Sequence, residues 1–310
     1  MEDDFKAVLV GDIHLADKPP RACTDRYTDN LFDMLYEVRD LAVQFDAQLV
    51  ALAGDVFHYK APTKTSHELV SRTVRCFQEF SVPLAVAVGN HDIHYNSHKL
   101  FHKQPLSTVL VALQAKGGLY DGPDVALWHW GQSCPQGSYR LAVAHQPIAK
   151  PHESPPWDCV YPDDMKGLDA DVCFYGHIHE DVGVWRAGSD PDSMLFVNHG
   201  ALCRGTLSDS DLERNPCVTL WSRVGGVSEL TKVPLESALA VEDLYDPEML
   251  ALKSAPEEKG IDLDDWYARL REAGQAGGAT TPLERAVACI RAAEAPLAVK
   301  EAAEELLSNV

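Results

Sequence analysis

The sequence predicts an α/β protein in which two sheets face each other and helices flank them. Up to about residue 90, apolar runs of strand length alternate with amphipathic stretches of helical length, which is typical of parallel strands joined by helices. Between residues 125 and 233, short strand-like runs follow one another through turns without helices. This second pattern is typical of antiparallel strands, and it fits a second sheet that faces the first and is partly antiparallel. A small helical region is predicted at the C-terminal end.

The first part of the chain contains three predicted strands and two predicted helices. The strands lie at residues 7–10, 49–53 and 84–88, and the helices at residues 30–45 and 66–80. In both helices, apolar residues recur every three or four positions. Because the three strands follow one another through helices, we expect them to be parallel neighbours in one sheet.

Three regions are expected along the chain. A globular domain covers residues 1–235, a short capping or linker region covers residues 236–274, and C-terminal helices that are candidates for binding a partner cover residues 275–310. The composition changes near Pro234, beyond which Ala, Glu and Leu dominate. Asp246 followed by Pro247 predicts a capped helix start.

Composition restricts the class of protein. The 310 residues include no apolar run near the ~20 that a membrane span needs, and the chain starts with acidic residues, so we expect a cytoplasmic protein without a membrane segment. The 8 cysteines have no regular spacing and are expected to be reduced thiols. A net charge of -20 argues against a broadly basic nucleic-acid surface and predicts weak unaided binding to DNA. It leaves room for a nuclease whose cations neutralise phosphates.

Polar motifs follow five of the predicted strands. They read GDIH (11–14), GD (54–55), GNHD (89–92), AHQ (144–146) and GHIH (176–179). In open α/β sheets, chemistry collects beyond the carboxyl ends of the strands. The motifs supply oxygen and imidazole ligands without a thiolate, which suits Mn, Fe, Zn, Ni or Co.

These ligands divide into two sets around one shared carboxylate, Asp55, which can bridge two ions. The set for one ion is Asp12, His14 and His179, and the set for the other is Asn90, His145 and His177. Two cations ~3.5–4 Å apart can clamp a phosphate and activate a water for in-line displacement.

The residue after Asn90 has a different predicted role. His91 need not bind a metal, and its imidazole is placed to protonate a leaving oxygen or to hydrogen-bond the phosphoryl group. Asp92 is expected to orient it.

The five motifs, in this order, resemble those of the calcineurin-like metallophosphoesterase superfamily. The resemblance covers residues 5 to 233. It implies the two-sheet metallophosphoesterase sandwich and a phosphoester hydrolase with two divalent metal ions.

A narrower resemblance begins at GDVFHYKAP (54–62). It is similar to the Gly-Asp-x-Phe-His motif, followed by Pro, of the SbcD family of double-strand-break repair nucleases, and compact bacterial or phage members are the nearest in length. In that family the extra histidine, here His58, lies near the metals and helps to place the DNA strand end. The His-Leu loop with a downstream arginine, here Arg26, is also similar. Arg26 and Lys60 are the residues expected to contact the substrate.

The SbcD resemblance carries further implications. They are Mn2+ as the working metal, 3′-to-5′ exonuclease action on duplex ends together with endonuclease action, and a role in DNA repair, recombination or replication. A homodimer formed through the helices after the second and third motifs and an SbcC-like ATPase partner are implied as well. One departure is Asn198-His199-Gly200-Ala201, where the family has Asn-Pro-Gly-Ser. Because of this departure, the sequence does not decide whether His199 points at the site or is a packed residue.

Two alternatives to a nuclease stay open. A small-molecule phosphatase or a cyclic-nucleotide phosphodiesterase of the same superfamily would keep the metals, and the net charge favours it. A binding protein on an inactive phosphoesterase fold is disfavoured because no ligand is missing.

The roles of several other residues stay undecided. Trp128 and Trp130 could stack on bases or pack in the core. Lys60, Lys64, Lys99 and Lys103 are open between phosphate contacts and solubilising charge.

Overall fold

The computed structural model describes residues 4–94, 97–155, 157–190 and 193–254. The strands are β1 Phe5–Val10, β2 Leu49–Leu52, β3 Leu84–Val86, β4 Val125–Trp128, β5 Gly137–His145, β6 Leu168–Gly176, β7 Asp181–Arg186, β8 Leu195–His199, β9 Cys217–Val224 and β10 Val227–Pro234. The helices are α1 Arg26–Gln44, α2 His67–Gln78, α3 Pro105–Gln114, α4 Asp209–Glu213, α5 Val241–Leu244 and α6 Pro247–Ser254. Short 3-10 segments lie at Pro62–Lys64, His98–Lys103 and Pro162–Met165.

The first sheet has the strand order β10-β9-β1-β2-β3. As predicted, β1, β2 and β3 are parallel neighbours, and helices α1 and α2 connect them. Strands β9 and β10 extend this sheet as an antiparallel hairpin beside β1. The central strand β1 is therefore paired on both sides, and all but one of its residues are buried.

The second sheet has the order β4-β5-β6-β8-β7 and is partly antiparallel, as predicted. Strands β4, β5, β6 and β8 are parallel, and β7 alone is antiparallel to its neighbour. The interpretation of the separate runs as antiparallel strands was wrong for the four parallel ones, because it equated a missing helix with a short reversal. The connection 146–167 is long enough to return the chain without a helix, and β7 itself lies within the crossover from β6 to β8.

Three apolar clusters hold this architecture together, and the third lies on the side of the second sheet that faces away from the first. Between the sheets, alternate residues of β1, Phe5, Ala7 and Leu9, pack against second-sheet side chains such as Val143 and Phe174. Val8 and Val10 of β1 join a different apolar cluster with α1, α2 and α3. This alternation follows from the two-residue period of a strand. It explains why β1 reads as a continuous apolar run: both of its faces are covered.

The predicted helices are present with shifted ends, and one helix was not predicted. Helix α2 begins where the sequence placed it, since the Ser66 hydroxyl accepts a hydrogen bond from Leu69 N at 3.0 Å. Helix α1 begins at Arg26, earlier than predicted, because Tyr27 is buried in its first turn. Helix α3 starts with Pro105 at its first position and was missed.

The segment after β10 is attached to the same compact unit, which extends to Lys253. The Glu37 carboxylate accepts hydrogen bonds from the backbone N of Glu236 and Ser237, both at 2.8 Å. Residues 236 and 237 are therefore attached to helix α1, and the division at residue 235 stays a prediction. Asp246 caps α6 as predicted, by accepting from Glu248 N at 2.8 Å. The rest of the predicted capping region and the helices predicted at 275–310 lie outside the described residues.

Two composition-based predictions can be compared with the described part of the chain. None of its helices is long and apolar enough to cross a membrane. Its cysteines are free thiols, and most of them are buried: Cys23, Cys76, Cys173, Cys203 and Cys217. Reduced, packed cysteines are what the irregular spacing predicted.

Candidate metal centre

The five motifs meet at one end of the two sheets. The loops after β1, β2 and β3 come from the first sheet, and those after β5 and β6 come from the second. The seven predicted ligands lie in these loops or at the end of β5, and five of them are buried: Asp12, His14, Asp55, Asn90 and His145. The facing of the two sheets therefore brings together residues that are up to 167 positions apart, from Asp12 to His179.

Asp55 lies between the two predicted ligand sets. Its Oδ2 is 3.5 Å from His14 Nε2 and 3.4 Å from His145 Nε2. Its other oxygen, Oδ1, accepts a hydrogen bond from the backbone N of His91 at 2.7 Å. One carboxylate oxygen thus faces a ligand of each set, which is the position that a bridging ligand requires.

The remaining predicted ligands lie close together in two groups. In the first set, His179 Nε2 is 3.3 Å from Asp12 Oδ2 and 3.1 Å from His14 Nε2. In the second set, Asn90 Oδ1 is 3.0 Å from both His145 Nε2 and His177 Nδ1. The ligand atoms of each set come from separate loops and lie within a few ångströms of one another. Each set could therefore bind one ion.

Three of these ligands have an uncommon backbone conformation. His14, Asp55 and His177 have φ values of 56°, 46° and 78°, in the left-handed region that non-glycine residues seldom adopt. Hydrogen bonds hold them there: His14 N donates to Asp55 O at 2.9 Å, and His177 N donates to Asp12 Oδ2 at 2.9 Å. Such conformations persist where surrounding contacts over-determine them, and they cluster at functional sites.

The motif glycines are explained by close approach to the carboxylates. A Cβ on Gly89 would lie 2.0 Å from Asp55 Oδ1, and a Cβ on Gly176 would lie 2.1 Å from Asp12 Oδ1. Each glycine therefore makes room for a ligand that belongs to another motif. This is a physical reason for finding glycine before Asn90 and before His177.

The electrostatics of the site favour a cation. Burial acts to raise the pKa of Asp55, but His145 and His14 outweigh it and hold that pKa well below its usual range. Burial acts to lower the pKa of His145, but the carboxylates of Asp55 and Asp12 outweigh it and raise the pKa to about 9. The two carboxylates thus attract positive charge to this point.

Two of the other ligand imidazoles, those of His177 and His14, are shifted toward the neutral form, in which histidine binds metals. Burial lowers the pKa of His177 to about 4 and that of His14 well below its ordinary value. Burial also acts to lower the pKa of His179, but its contact with the Asp12 carboxylate outweighs burial and raises that pKa instead. Among the described residues, Asp12 Oδ1 and His14 Nδ1 are buried without a hydrogen-bond partner. A buried carboxylate oxygen without a donor is costly, and a divalent cation would satisfy it. The residues present therefore fit two divalent metal ions.

A further cluster of imidazoles borders the first ligand set. Nitrogens of His14, His58 and His91 lie within 4.8 Å of one another. The ring centroids of His58 and His91 are 5.4 Å and 4.8 Å from that of His14. Both added histidines are half-buried, so their rings line the site at its open side. The structure thus brings together the two residues that were predicted to act on the substrate.

Asp92 has a different role from the predicted one. Its carboxylate accepts hydrogen bonds from the backbone N of Val56, Phe57 and Gly89 at 3.3, 3.1 and 3.0 Å. The His91 ring is instead oriented by the His58 carbonyl, 2.5 Å from Nδ1. The prediction that Asp92 orients His91 was wrong, because the chain turns after Asn90 and sends the two side chains in different directions. Asp92 ties together the two loops that carry Asp55 and Asn90.

The contacts seen for Arg26 and His199 are with residues outside the ligand cluster. Arg26 is exposed and pairs with Asp243 at 3.2 Å. Lys60 is exposed two residues after His58. His199 Nδ1 is 2.5 Å from Thr219 Oγ1 on β9, which is a packing role.

Two residues near the ligands were missed or left undecided by the sequence. Cys203 is buried with its sulfur within 4.8 Å of nitrogens of His14 and His179. The Trp130 ring centroid is 4.7 Å from that of His177. Cys203 follows no strand directly and belongs to no motif, so only the folded loop reveals it. Trp128, in contrast, is a core residue with 4% exposure.

The sequence matches a known protein family. The family model for calcineurin-like phosphoesterases matches residues 5–181 of this chain. No curated protein matches the chain. A solved structure of a novel archaeal phosphodiesterase is 12% identical, with 74% of this chain and 100% of that chain covered and a TM-score of 0.40. The solved structure of the phosphoesterase YfcE from E. coli is 17% identical, with 76% of this chain and 97% of that chain covered and a TM-score of 0.37. The solved structure of a dimetal phosphatase from Danio rerio is 13% identical, with 75% of this chain and 99% of that chain covered and a TM-score of 0.40.

The matched range carries the functional assignment. Residues 5–181 make up more than half of the chain and contain every motif from GDIH (11–14) to GHIH (176–179). The ligands of those motifs form two sets around Asp55, with geometry and electrostatics that fit two divalent cations. The chain therefore belongs to the calcineurin-like phosphoesterase family of metal-dependent phosphoester hydrolases.

Proposed function

We propose that the chain is a two-metal phosphodiesterase that cleaves DNA in the manner of the SbcD-type nucleases and acts in repair, recombination or replication. The observation that carries the proposal is the position of His58. This side chain lies outside the seven-ligand set, and its ring nitrogen is near those of His14 and His91. The Gly-Asp-x-Phe-His motif that contains it is the feature shared with those nucleases.

His58 is suited to contact a strand end. Burial lowers the pKa of its imidazole to about 4, so the ring is neutral at physiological pH and can both donate and accept a hydrogen bond. Its ring packs edge-on against Tyr59 with centroids 4.8 Å apart, which limits its rotation. A fixed, neutral imidazole beside the reacting phosphate can hydrogen-bond a sugar hydroxyl or a phosphate oxygen of a terminal nucleotide.

His91 is the proposed proton donor to the leaving oxygen. A backbone carbonyl only accepts hydrogen bonds, so His91 Nδ1 must carry the proton that it shares with His58 O. Nε2 is then the nitrogen that faces the substrate. When bound, two divalent cations supply the Lewis-acid charge that phosphoester hydrolysis needs. The chain contributes the ligands, the bridge at Asp55 and the oriented imidazoles.

Mn2+ is the proposed metal. The donors are two carboxylates, one amide oxygen and four imidazoles, a mixed oxygen and nitrogen set that suits Mn2+ among other divalent ions. The resemblance to SbcD-type nucleases favours Mn2+ within this group.

An SbcC-like ATPase and a second copy of this chain are the proposed protein partners. The net charge of -20 opposes the approach of a polyanion, and a DNA-binding partner would compensate for it.

The proposed substrate contacts Arg26 and Lys60 are both exposed. Lys60, two residues after His58, is the nearer of the two in sequence.

The direct test uses duplex DNA labelled at either the 3′ or the 5′ end, incubated with the purified chain and Mn2+, with and without an SbcC-like ATPase. Circular single-stranded DNA in the same buffer reports endonuclease action. We expect 3′-to-5′ shortening by the wild type and none by Asp55→Ala. His58→Asn should reduce shortening more than it reduces cleavage of the circle. If the metal-loaded chain shortens no DNA under either condition but hydrolyses a generic phosphodiester, the DNA assignment is wrong.

A small-molecule phosphatase or a cyclic-nucleotide phosphodiesterase is the second candidate. The observation in its favour is the same net charge of -20, since a small substrate needs no extended basic surface. Turnover of a cyclic nucleotide without DNA shortening would support it.

A further inference from the structure

We propose that Trp130 is a stacking platform for a nucleobase of the substrate, next to the second ligand set. This inference rests on the proposed phosphodiesterase function and specifies its substrate class as a nucleotide-bearing phosphodiester. The Trp130 ring centroid lies 4.7 Å from that of His177, with the planes inclined by 36°, and 6.1 Å from that of His145. The indole thus forms a wall of the site.

The contrast with Trp128 separates a platform from a core residue. Trp128 is 4% exposed, and its indole N–H donates to Gln132 O at 2.9 Å. Trp130 is half-buried: part of its side chain packs against the apolar cluster that includes β1 and the helices, and its ring borders His177. The rest of the indole is accessible beside the second ligand set.

Backbone contacts fix Trp130 relative to the ligands. Its N donates to Val88 O at 2.9 Å, immediately before the GNHD motif. Its carbonyl accepts from His98 Nε2 at 2.6 Å. The preceding residue, His129, accepts from Val88 N at 2.9 Å, and its carbonyl accepts from Gln146 Nε2 at 2.9 Å. A rigid aromatic wall loses little entropy when a ring stacks on it.

The charge around this wall suits a nucleotide. The chain has 47 Asp and Glu residues, yet residues 93 to 120 contain none. This stretch includes the 3-10 segment His98–Lys103, which contacts Trp130 through His98. Lys99 and Lys103 of that segment are exposed. The segment that contacts Trp130 thus carries two exposed cations, and aromatic surfaces combined with cations bind bases and phosphates together.

The test compares two diesters with the same leaving group: thymidine 5′-(p-nitrophenyl phosphate), which carries a base, and methyl p-nitrophenyl phosphate, which does not. Trp130→Phe keeps an aromatic face, and Trp130→Leu keeps apolar packing without one. Trp157→Ala removes a tryptophan that is 56% exposed elsewhere and serves as the control. The readouts are kcat/KM for both esters and the bound metal per chain.

We expect Trp130→Leu to lower kcat/KM for the thymidine ester about 10- to 100-fold, with little change for the methyl ester, while Trp130→Phe and Trp157→Ala stay near wild type. Metal content should be unchanged in all three variants. Equal losses for both esters would place the indole under the leaving group and overturn the proposal. Loss of bound metal would also overturn it, since Trp130 would then be a support for His177.

The outcome is separable from that of the DNA test. If the wild type hydrolyses both esters but does not shorten DNA, the nuclease assignment fails, and the effect of Trp130→Leu still decides the base site. If the wild type binds metal but hydrolyses neither ester nor DNA, the phosphodiesterase function itself fails.

Discussion

The imidazole of His91 is held by the backbone carbonyl of His58, with 2.5 Å between Nδ1 and the oxygen. The backbone N of His91 also donates to Asp55 Oδ1 at 2.7 Å. The catalytic candidate is therefore attached both to the loop that follows the bridging carboxylate and to that carboxylate itself. Its ring borders the first ligand set while its backbone N–H holds the Asp55 carboxylate, and the two contacts can be separated by mutation.

His91→Ala should lower turnover about 10²- to 10⁴-fold while leaving the metals bound. The reason is that the substitution removes the imidazole but keeps the backbone N–H that donates to Asp55. Steady-state kinetics and metal analysis on the same preparation provide the measurement. His102→Ala, an exposed histidine of the 3-10 segment, is the matched control.

Asp55→Ala should abolish activity and remove metal together, because it deletes the oxygen that faces both ligand sets. If His91→Ala lost as much metal as Asp55→Ala, His91 would be a ligand and the role assigned to it here would be incorrect.

Gly176→Ala should weaken metal binding about 10- to 100-fold, the range seen when groups that position ligands are altered. The new Cβ would lie 2.1 Å from Asp12 Oδ1 and 3.0 Å from Ala53 Cβ, so the carboxylate must move. Calorimetric titration with Mn2+ measures the effect. Gly188→Ala, where the added Cβ meets nothing within 4 Å, should bind metal like the wild type. Equal affinities for all three proteins would show that Asp12 tolerates displacement.

Much of the site was predictable because each ligand directly follows an apolar strand. In a sheet of parallel strands, residues such as Asp12, Asp55 and Asn90 reach the same edge wherever they lie in the sequence. The first sheet was predictable for the same reason, since helices between the strands enforce parallel neighbours. The signal was local, and the fold rule converted it into proximity.

The remaining features depend on the paths of loops, which no local pattern specifies. The parallel pairing of β4, β5, β6 and β8 depends on how the connecting segments return the chain, which differs from one pair to the next: residues 129–136 join β4 to β5, and β7 lies between β6 and β8. The role of Asp92 depends on a turn that separates its side chain from that of His91. Cys203 approaches His14 because the loop after β8 wraps around Asp12: Leu202 N donates to Asp12 O at 2.8 Å.

Asp92→Ala should lower the free energy of unfolding by at least about 3 kcal/mol. It removes the acceptor of three backbone N–H groups in a buried location, and a buried donor left without a partner costs about 1–3 kcal/mol. Burial, with a further contribution from Asp55, raises the pKa of Asp92 to about 7, so a neutral Asp92→Asn side chain should cost less than alanine does.

Urea denaturation of the wild type, Asp92→Ala and Asp92→Asn measures the free energy of unfolding. Asp29→Ala is the control, since Asp29 is 69% exposed in its pair with Arg72 and should change stability by about 0–1 kcal/mol. Stability losses for Asp92→Ala no larger than that of the control would rule out the tie between the two ligand loops.

Arg214 should be essential for the loop that supports Asp12. Its guanidinium donates to the carbonyls of Ala201 and Cys203 and pairs with Asp211 Oδ1 at 3.0 Å. Arg214 and Asp211 side chains are 10% and 5% exposed, so Arg214→Ala leaves a carboxylate buried without its cation. We expect a loss of about 3–5 kcal/mol in the free energy of unfolding. Metal affinity should fall as well, because the backbone of the same loop donates to Asp12 O.

A double-mutant cycle isolates this pair. Arg214→Ala combined with Asp211→Ala should cost less than the sum of the single changes, with a coupling of about 0.5–3 kcal/mol in urea denaturation. Arg214→Lys should not restore stability, because one ammonium cannot reach two carbonyls and a carboxylate in the planar arrangement that the guanidinium provides. Additive single effects, or full rescue by lysine, would mean that Arg214 acts through bulk or charge alone. The loop at 201–203 would then depend for its position on β8 rather than on the buried arginine.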